Sequence, residues 1–152
     1  DVSSAEATKY AADVLGRAMP SLENLEVVLA VEPLGPEEGD FLLTAEQGRQ
    51  LIDLVDSPAC RLHLDVKAMS SESKPIESII RDNAEAMAHF HANDANRRGP
   101  GMGEIDFVPI LKTLRDVQYD GWVSVEVFDY EPGVETLARD SISYLKDCLK
   151  KI

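Results

Sequence analysis

Four short apolar runs, each followed by a stretch with helical periodicity, recur along this chain and leave few folds open to it. Val27 to Val31 is continuous and rich in β-branched residues, as expected of a strand covered on both faces. Cys60 to Leu64 and Met87 to Ala92 read as a second and third strand. Trp122 to Phe128 reads as a fourth, alternating around Val123, Val125 and Val127 after the turn Tyr119-Asp120-Gly121. A capping box, Ser3-Ser4-Ala5-Glu6, opens a leading helix through Arg17, with Ala7, Tyr10, Ala11, Val14, Leu15 and Ala18 as its apolar stripe and Pro20 as its stop. Thr44-Ala45-Glu46-Gln47 opens a second helix, through Val55. After a loop through Lys74, Pro75 suits the first position of a third, with Ile76, Ile79 and Ile80 inward. Phe107 to Val117, with Ile110, Leu111 and Leu114 inward, and Gly133 to Lys150 complete the helices.

Strands alternating with helices imply an α/β fold with a parallel sheet. Two architectures satisfy the pattern: a small doubly wound sheet, or half of a TIM (β/α)8 barrel. A whole barrel takes about 250 residues, and the chain has 152. Residues 1–152 therefore read as a single domain of four β-α units. In the barrel case its two outer strands need a further polypeptide segment beside them. The chain begins at Asp1 without a methionine and reads as part of a longer protein.

Charge narrows the partners. With 28 acidic against 15 basic side chains the net charge is −13, which repels a phosphate backbone and argues against nucleic acid as a partner. No apolar run is long enough to span a bilayer. The two cysteines, Cys60 and Cys148, have no CxxC spacing and fit free thiols in a reducing, cytoplasmic setting. No GxSxG or cysteine–histidine signature supports nucleophilic catalysis.

The informative feature is what closes each strand: Glu32, Asp65, His91 and Glu126. In parallel α/β folds the carboxyl ends of strands converge on the face where ligands bind. One such carboxylate is ordinarily a helix cap or an ion-pair partner. Four ionisable groups in phase offer three oxygens and one nitrogen, a hard set suited to Mn2+, Mg2+ or Co2+, with Zn2+ as a further candidate. Three carboxylates packed together also need a cation to offset their repulsion.

Val31-Glu32-Pro33-Leu34, Leu64-Asp65, His89-Phe90-His91-Ala92-Asn93-Asp94, Arg97-Arg98-Gly99-Pro100-Gly101-Met102-Gly103 and Tyr119-Asp120-Gly121-Trp122-Val123-Ser124-Val125-Glu126, in that order, resemble the sugar phosphate isomerase/epimerase family. This is the xylose-isomerase-like TIM-barrel superfamily, which also holds ketose 3-epimerases, inosose dehydratases and endonuclease IV. The resemblance runs from about Leu25 to the C-terminus. It covers the last four β-α units of the family's barrel, so it implies that the N-terminal half lies outside these residues. By analogy with the ketose 3-epimerases, Glu32, Asp65, His91 and Glu126 would hold the metal, and Glu32 and Glu126 would also be the catalytic acid/base pair. Arg97 falls where the family has a substrate-contacting arginine, and Glu38 near a family acid. The family often carries a substrate-contacting histidine three residues after the strand-two aspartate. Ala68 stands there, with Lys67 beside it as a substitute contact.

His63 and His89 precede Asp65 and His91 by two and so share their strand faces. Each is either an orienting or substrate-binding group or a hydrogen-bonded interior histidine, and His89 is counted among the substrate contacts. The acidic loop with Glu37, Glu38 and Asp40 reads as solvated or as a wall of the site. The glycine-rich loop after Arg97 reads as a turn or as an anion cradle. Trp122 is expected in or near the barrel wall. The function the resemblance implies is divalent-metal-dependent isomerisation or epimerisation of a sugar or polyol by proton transfer next to a carbonyl. Dehydration of a keto-polyol, metal or sugar binding without catalysis, and abasic-site cleavage are the alternatives. The expected partners are a small carbohydrate, the N-terminal half barrel and, as an open option, a second copy of the chain. Membranes are not among them.

Overall fold

The β-α alternation produces a parallel sheet in which chain order is also spatial order. The computed structural model describes residues 2–152. Strands β1 (Leu29–Val31), β2 (Cys60–Asp65), β3 (Met87–Ala92) and β4 (Val123–Val125) form one four-stranded sheet in the order β1-β2-β3-β4, every pair parallel. Helix α1 (Ser4–Asn24) precedes the sheet. Helices α2 (Ala45–Val55), α3 (Val66–Ser70), α4 (Ile76–Asn83), α5 (Phe107–Asp116) and α6 (Val134–Leu149) fill the connections and the C-terminus. Among the described residues no helix is long and apolar enough to cross a membrane.

The two sides of the sheet differ in chemistry. Register pairs Val31 with Leu62, and Leu64 with Phe90 and in turn Val123. These apolar residues share one face, and Leu62, Leu64 and Phe90 join α2, α4 and α5 in a single core through Leu51, Ile52, Ile79, Ile80, Ile110 and Leu114. The alternate residues, His63, Asp65, His89, His91 and Ser124, share the other face. A bulge inserts Ala88 between the pairs Leu62–Met87 and His63–His89, and so brings both β3 histidines into phase with β2.

Several boundaries differ from the sequence-based expectation. Pro20 does not end α1, which runs on to Asn24; Met19, buried in the core, and Leu22, packed against it, hold the last turn in place. The inward stripe of α1 is Ala11, Ala12, Leu15, Met19 and Leu22, whereas Tyr10 and Val14 are exposed. Strand β1 is shorter than expected, Val27 and Val28 lying exposed before it, and it is not covered on both faces, since Leu29 and Ala30 are only half-buried. Strand β4 keeps only Val123–Val125; Trp122 is 80% exposed rather than packed in a wall. Both are the outer strands of the sheet, with neighbours on one side only. Part of the stretch after Asp65, expected as loop, is α3. Pro75 is the cap of α4 rather than its first residue, its carbonyl accepting from the Ser78 and Ile79 amides.

Candidate metal centre

Each of the four strands delivers one ionisable side chain to the same point. Glu32 follows β1, Asp65 ends β2, His91 lies one residue from the end of β3, and Glu126 follows β4. Neighbouring strands sit about 4.8 Å apart, so the outer pair of a flat four-stranded sheet would be some 14 Å apart. One ligand atom from each of the four nevertheless lies within 4.8 Å of all the others. Curvature of the sheet and the reach of two glutamates from its outer strands close that gap.

Asp65 is the most constrained member. It is 2% exposed; its Oδ1 accepts from the Ala68 amide at 2.8 Å, which caps α3, and its Oδ2 accepts from Asn93 Nδ2 at 2.6 Å. Asn93, fully buried, also accepts the Lys67 amide at 2.8 Å and so ties the start of α3 to the end of β3. Burial opposes the Asp65 charge, but His91 and these two donors outweigh it and hold the carboxyl below its usual range. His91 Nδ1 faces Glu126 Oε2 at 3.2 Å, Asp65 Oδ2 at 3.7 Å and Glu32 Oε1 at 3.8 Å, yet makes no hydrogen bond. Burial lowers its basicity, and the surrounding carboxylates more than restore it. Glu32 is raised to about 7, first by burial and then by Asp65 and Glu126. His63, 6% exposed and 3.5 Å from Glu32 through Nδ1, is pushed down to about 4 by burial and by the two neighbouring imidazoles.

These observations fit a divalent cation. Three carboxylates and an imidazole are drawn to one point, one carboxylate is driven towards its protonated form, and a buried ring nitrogen has no hydrogen-bond partner. A cation among them would answer all three strains together.

The remaining site candidates divide by location. Glu38, Lys67 and Arg97 line a cleft of about 220 Å3 with Gly35, Ala68 and Ser71. Lys67 Nζ lies 2.6 Å from Glu38 Oε2 and 4.2 Å from the centre of the Phe128 ring, so Lys67 ties α3 to the segments that follow β1 and β4. Arg97 Nη2 is 3.8 Å from Glu37. The Arg97 carbonyl accepts from the Phe128 and Asp129 amides, with its backbone at φ 70. His89 does not line the cleft and stacks edge-on with His63 and His91 instead. A larger hollow, about 350 Å3, opens at the opposite ends of the strands near Arg49, Asp56 and Glu85. In the loop after Arg97 the glycines serve close packing: a Cβ on Gly103 would overlap the Asp94 carboxylate, and one on Gly101, at φ +83, the Tyr144 ring. The holding role of Asn93 was not read from the sequence; its place one residue after the His-Phe-His-Ala strand was the available signal.

The sequence matches the xylose isomerase-like TIM barrel family over residues 1–148. The chain belongs to that family. Its parallel four-stranded sheet is thus half of a TIM barrel. Among curated proteins, this family member is 30% identical over 141 residues to a probable ketose 3-epimerase of Synechocystis sp., covering 83% of this chain and 49% of that one. It is 32% identical over 111 residues to the D-psicose 3-epimerase of Enterocloster bolteae, covering 73% and 37%. The crystal structure of 3-keto-D-glucoside 4-epimerase from E. coli superposes with a TM-score of 0.90 at 25% identity, over 97% of this chain and 56% of that one. The chain spans half or less of the length of these curated relatives.

Proposed function

We propose that this family member carries half of the active site of a divalent-metal-dependent epimerase or isomerase acting on a small ketose or related polyol. The observation that carries the reading is the convergence of Glu32, Asp65, His91 and Glu126 from four successive strands. The names of the relatives, sugar 3- and 4-epimerases among them, support a substrate of that class. A bound divalent ion would supply the positive charge that stabilises an enediolate.

The chain's own residues supply the rest. Asp65 and His91, held on the two central strands, would be ligands. Glu32 and Glu126 would be ligands too and would also carry the proton, reaching a carbon between them from the two outer strands. One takes the proton next to the carbonyl and the other returns a proton from its own side, which inverts the centre. Glu38, Lys67 and Arg97 would bind hydroxyls in the adjoining cleft. Each cation there is opposed by a carboxylate, Lys67 by Glu38 and Arg97 by Glu37, which favours a neutral polyol over a phosphorylated sugar.

The test is metal analysis of the complete protein, paired with exchange of the carbonyl-adjacent hydrogen of D-psicose or D-fructose into D2O. Mn2+-dependent exchange is expected, and Glu126→Gln should abolish it. Asp65→Asn should lower metal retention far more than Arg97→Ala does. Equal retention in those two variants, with undiminished exchange in Glu126→Gln, overturns the assignment.

A further inference from the structure

Beneath the four-residue centre, the same face of the sheet holds a second donor set made only of nitrogen. His63 on β2 pairs in register with His89 on β3, and His91 follows two residues later. The ring centroids lie 4.0 Å (His63–His91), 5.0 Å (His63–His89) and 5.1 Å (His89–His91) apart, with each pair of planes between 82° and 87°. One nitrogen from each ring is within 4.8 Å of the others. His63 has 8% side-chain exposure, and its Nε2 is buried without a hydrogen-bond partner. Three clustered imidazoles, the buried one with an unpartnered nitrogen, call for a ligand rather than for packing alone, since a buried polar atom is normally paired.

We infer that His63, His89 and His91 form an alternative metal site for late first-row ions, Zn2+, Cu2+ or Ni2+, that competes with the carboxylate centre through their shared residue, His91. Three imidazoles are borderline-soft donors and select such ions over Mg2+ and Mn2+. A tetrahedral zinc at about 2.0–2.1 Å from each nitrogen needs donors about 3.4 Å apart, a spacing inside the 4.8 Å within which these three nitrogens are already gathered. Competition follows from the chemistry of one ring. A neutral imidazole has a single nitrogen lone pair, because the other nitrogen carries the proton. His91 can therefore serve the oxygen-rich set or the nitrogen set, and not both. The inference rests on the proposed function only in treating His91 as a ligand of the first centre.

The test is made on the complete protein with Cu2+ and Mn2+ as probes, without reference to turnover. Pulsed EPR of the protein with one equivalent of Cu2+ should count three coordinated imidazoles, where the carboxylate centre alone supplies one. His89→Gln, at a half-buried position that tolerates change, should reduce that count, and His63→Gln should do the same. Zn2+ should displace Mn2+ from the wild type. In His89→Gln the zinc concentration needed should rise by about tenfold or more, at least the cost of losing an outer partner of a ligand. Glu126→Gln should weaken Mn2+ binding and leave the three-imidazole copper signal intact. A wild-type count of one imidazole, or a count unchanged by His89→Gln, overturns the inference. Loss of Mn2+ binding in Asp65→Asn with the copper count unchanged keeps the two assignments separable.

Discussion

Asn93 has no exposed surface and makes two bonds, one from its amide nitrogen to Asp65 and one from the Lys67 amide to its oxygen. Asn93→Ala leaves a buried carboxylate oxygen and a backbone N–H unpaired, at about 1–3 kcal/mol each. It also frees Asp65 to rotate, so Mn2+ affinity should fall about 10- to 100-fold, as for other partners that orient a ligand; calorimetric titration against wild type measures it. Proton linkage makes a second expectation. Glu32 titrates near 7 in the folded chain against 4.5, so the native state binds extra protons across that window and loses stability as pH rises through it. His63, lowered to about 4 from 6.5, and His89, also lowered, act in the opposite sense until the unfolded imidazoles have lost their protons, about a unit above 6.5. Glu32 and the raised His91 favour the lower pH and so oppose the two lowered imidazoles in that range. The thermal stability of the metal-free protein should therefore fall more steeply between pH 6.5 and 8 than that of Glu32→Gln, which lacks the raised carboxyl. Mn2+ binding at pH 7 should release at least about half a proton, seen as a dependence of the binding heat on the buffer's ionisation enthalpy. Heats that are the same in every buffer would contradict it. The four convergent residues were legible because strand periodicity fixes which side a residue faces. Asn93 and the direction of Lys67 were not, because both depend on α3, a five-residue helix set up by side-chain bonds across the fold.

At the scale of elements, β3 and α2 follow the expected bounds because buried faces and caps determine them locally: Thr44 accepts the Gln47 amide at the start of α2, and the core covers one side of β3. Strands β1 and β4 fall short because a ladder with one neighbour holds fewer residues in register than the apolar sequence would allow. Helix α1 runs past the stop that Pro20 predicts because tertiary anchoring by Met19 and Leu22 overrides the local cost of Pro20. The loop between β3 and α5 follows a different logic, set by close approach. The Asp94 carboxylate accepts the Ile105 amide, and the space it occupies is the space a side chain at Gly103 would need. Gly103→Ala should push Asp94 aside and loosen the lead-in to α5. Urea unfolding should show a loss of about 1–3 kcal/mol, the range for overpacking a filled site; a neutral result would mean that the loop shifts as a unit.

For the whole molecule, the parallel order β1-β2-β3-β4 leaves two unpaired strand edges, and the exposed Val27, Val28 and Trp122 lie at them. An exposed edge of a parallel sheet is uncommon, since such sheets are normally covered. The interior polar face has the same need: Glu32 and Glu126 reach the centre from the two edges, so anything that seats those edges also sets the spacing of the carboxylates. Trp122 is the chain's one tryptophan and is 80% exposed beside β4. In the 152-residue chain its emission should be that of an indole in water, readily quenched by acrylamide. When polypeptide supplying the remaining strands of the barrel is added, pairing along β4 should shift the emission to the blue and protect it from quencher. Mn2+ retention should rise in the same titration, because the edge that shields Trp122 also fixes Glu126. Protection of the indole with no change in metal retention would separate the edge from the centre and show that the four side chains are held by the sheet alone.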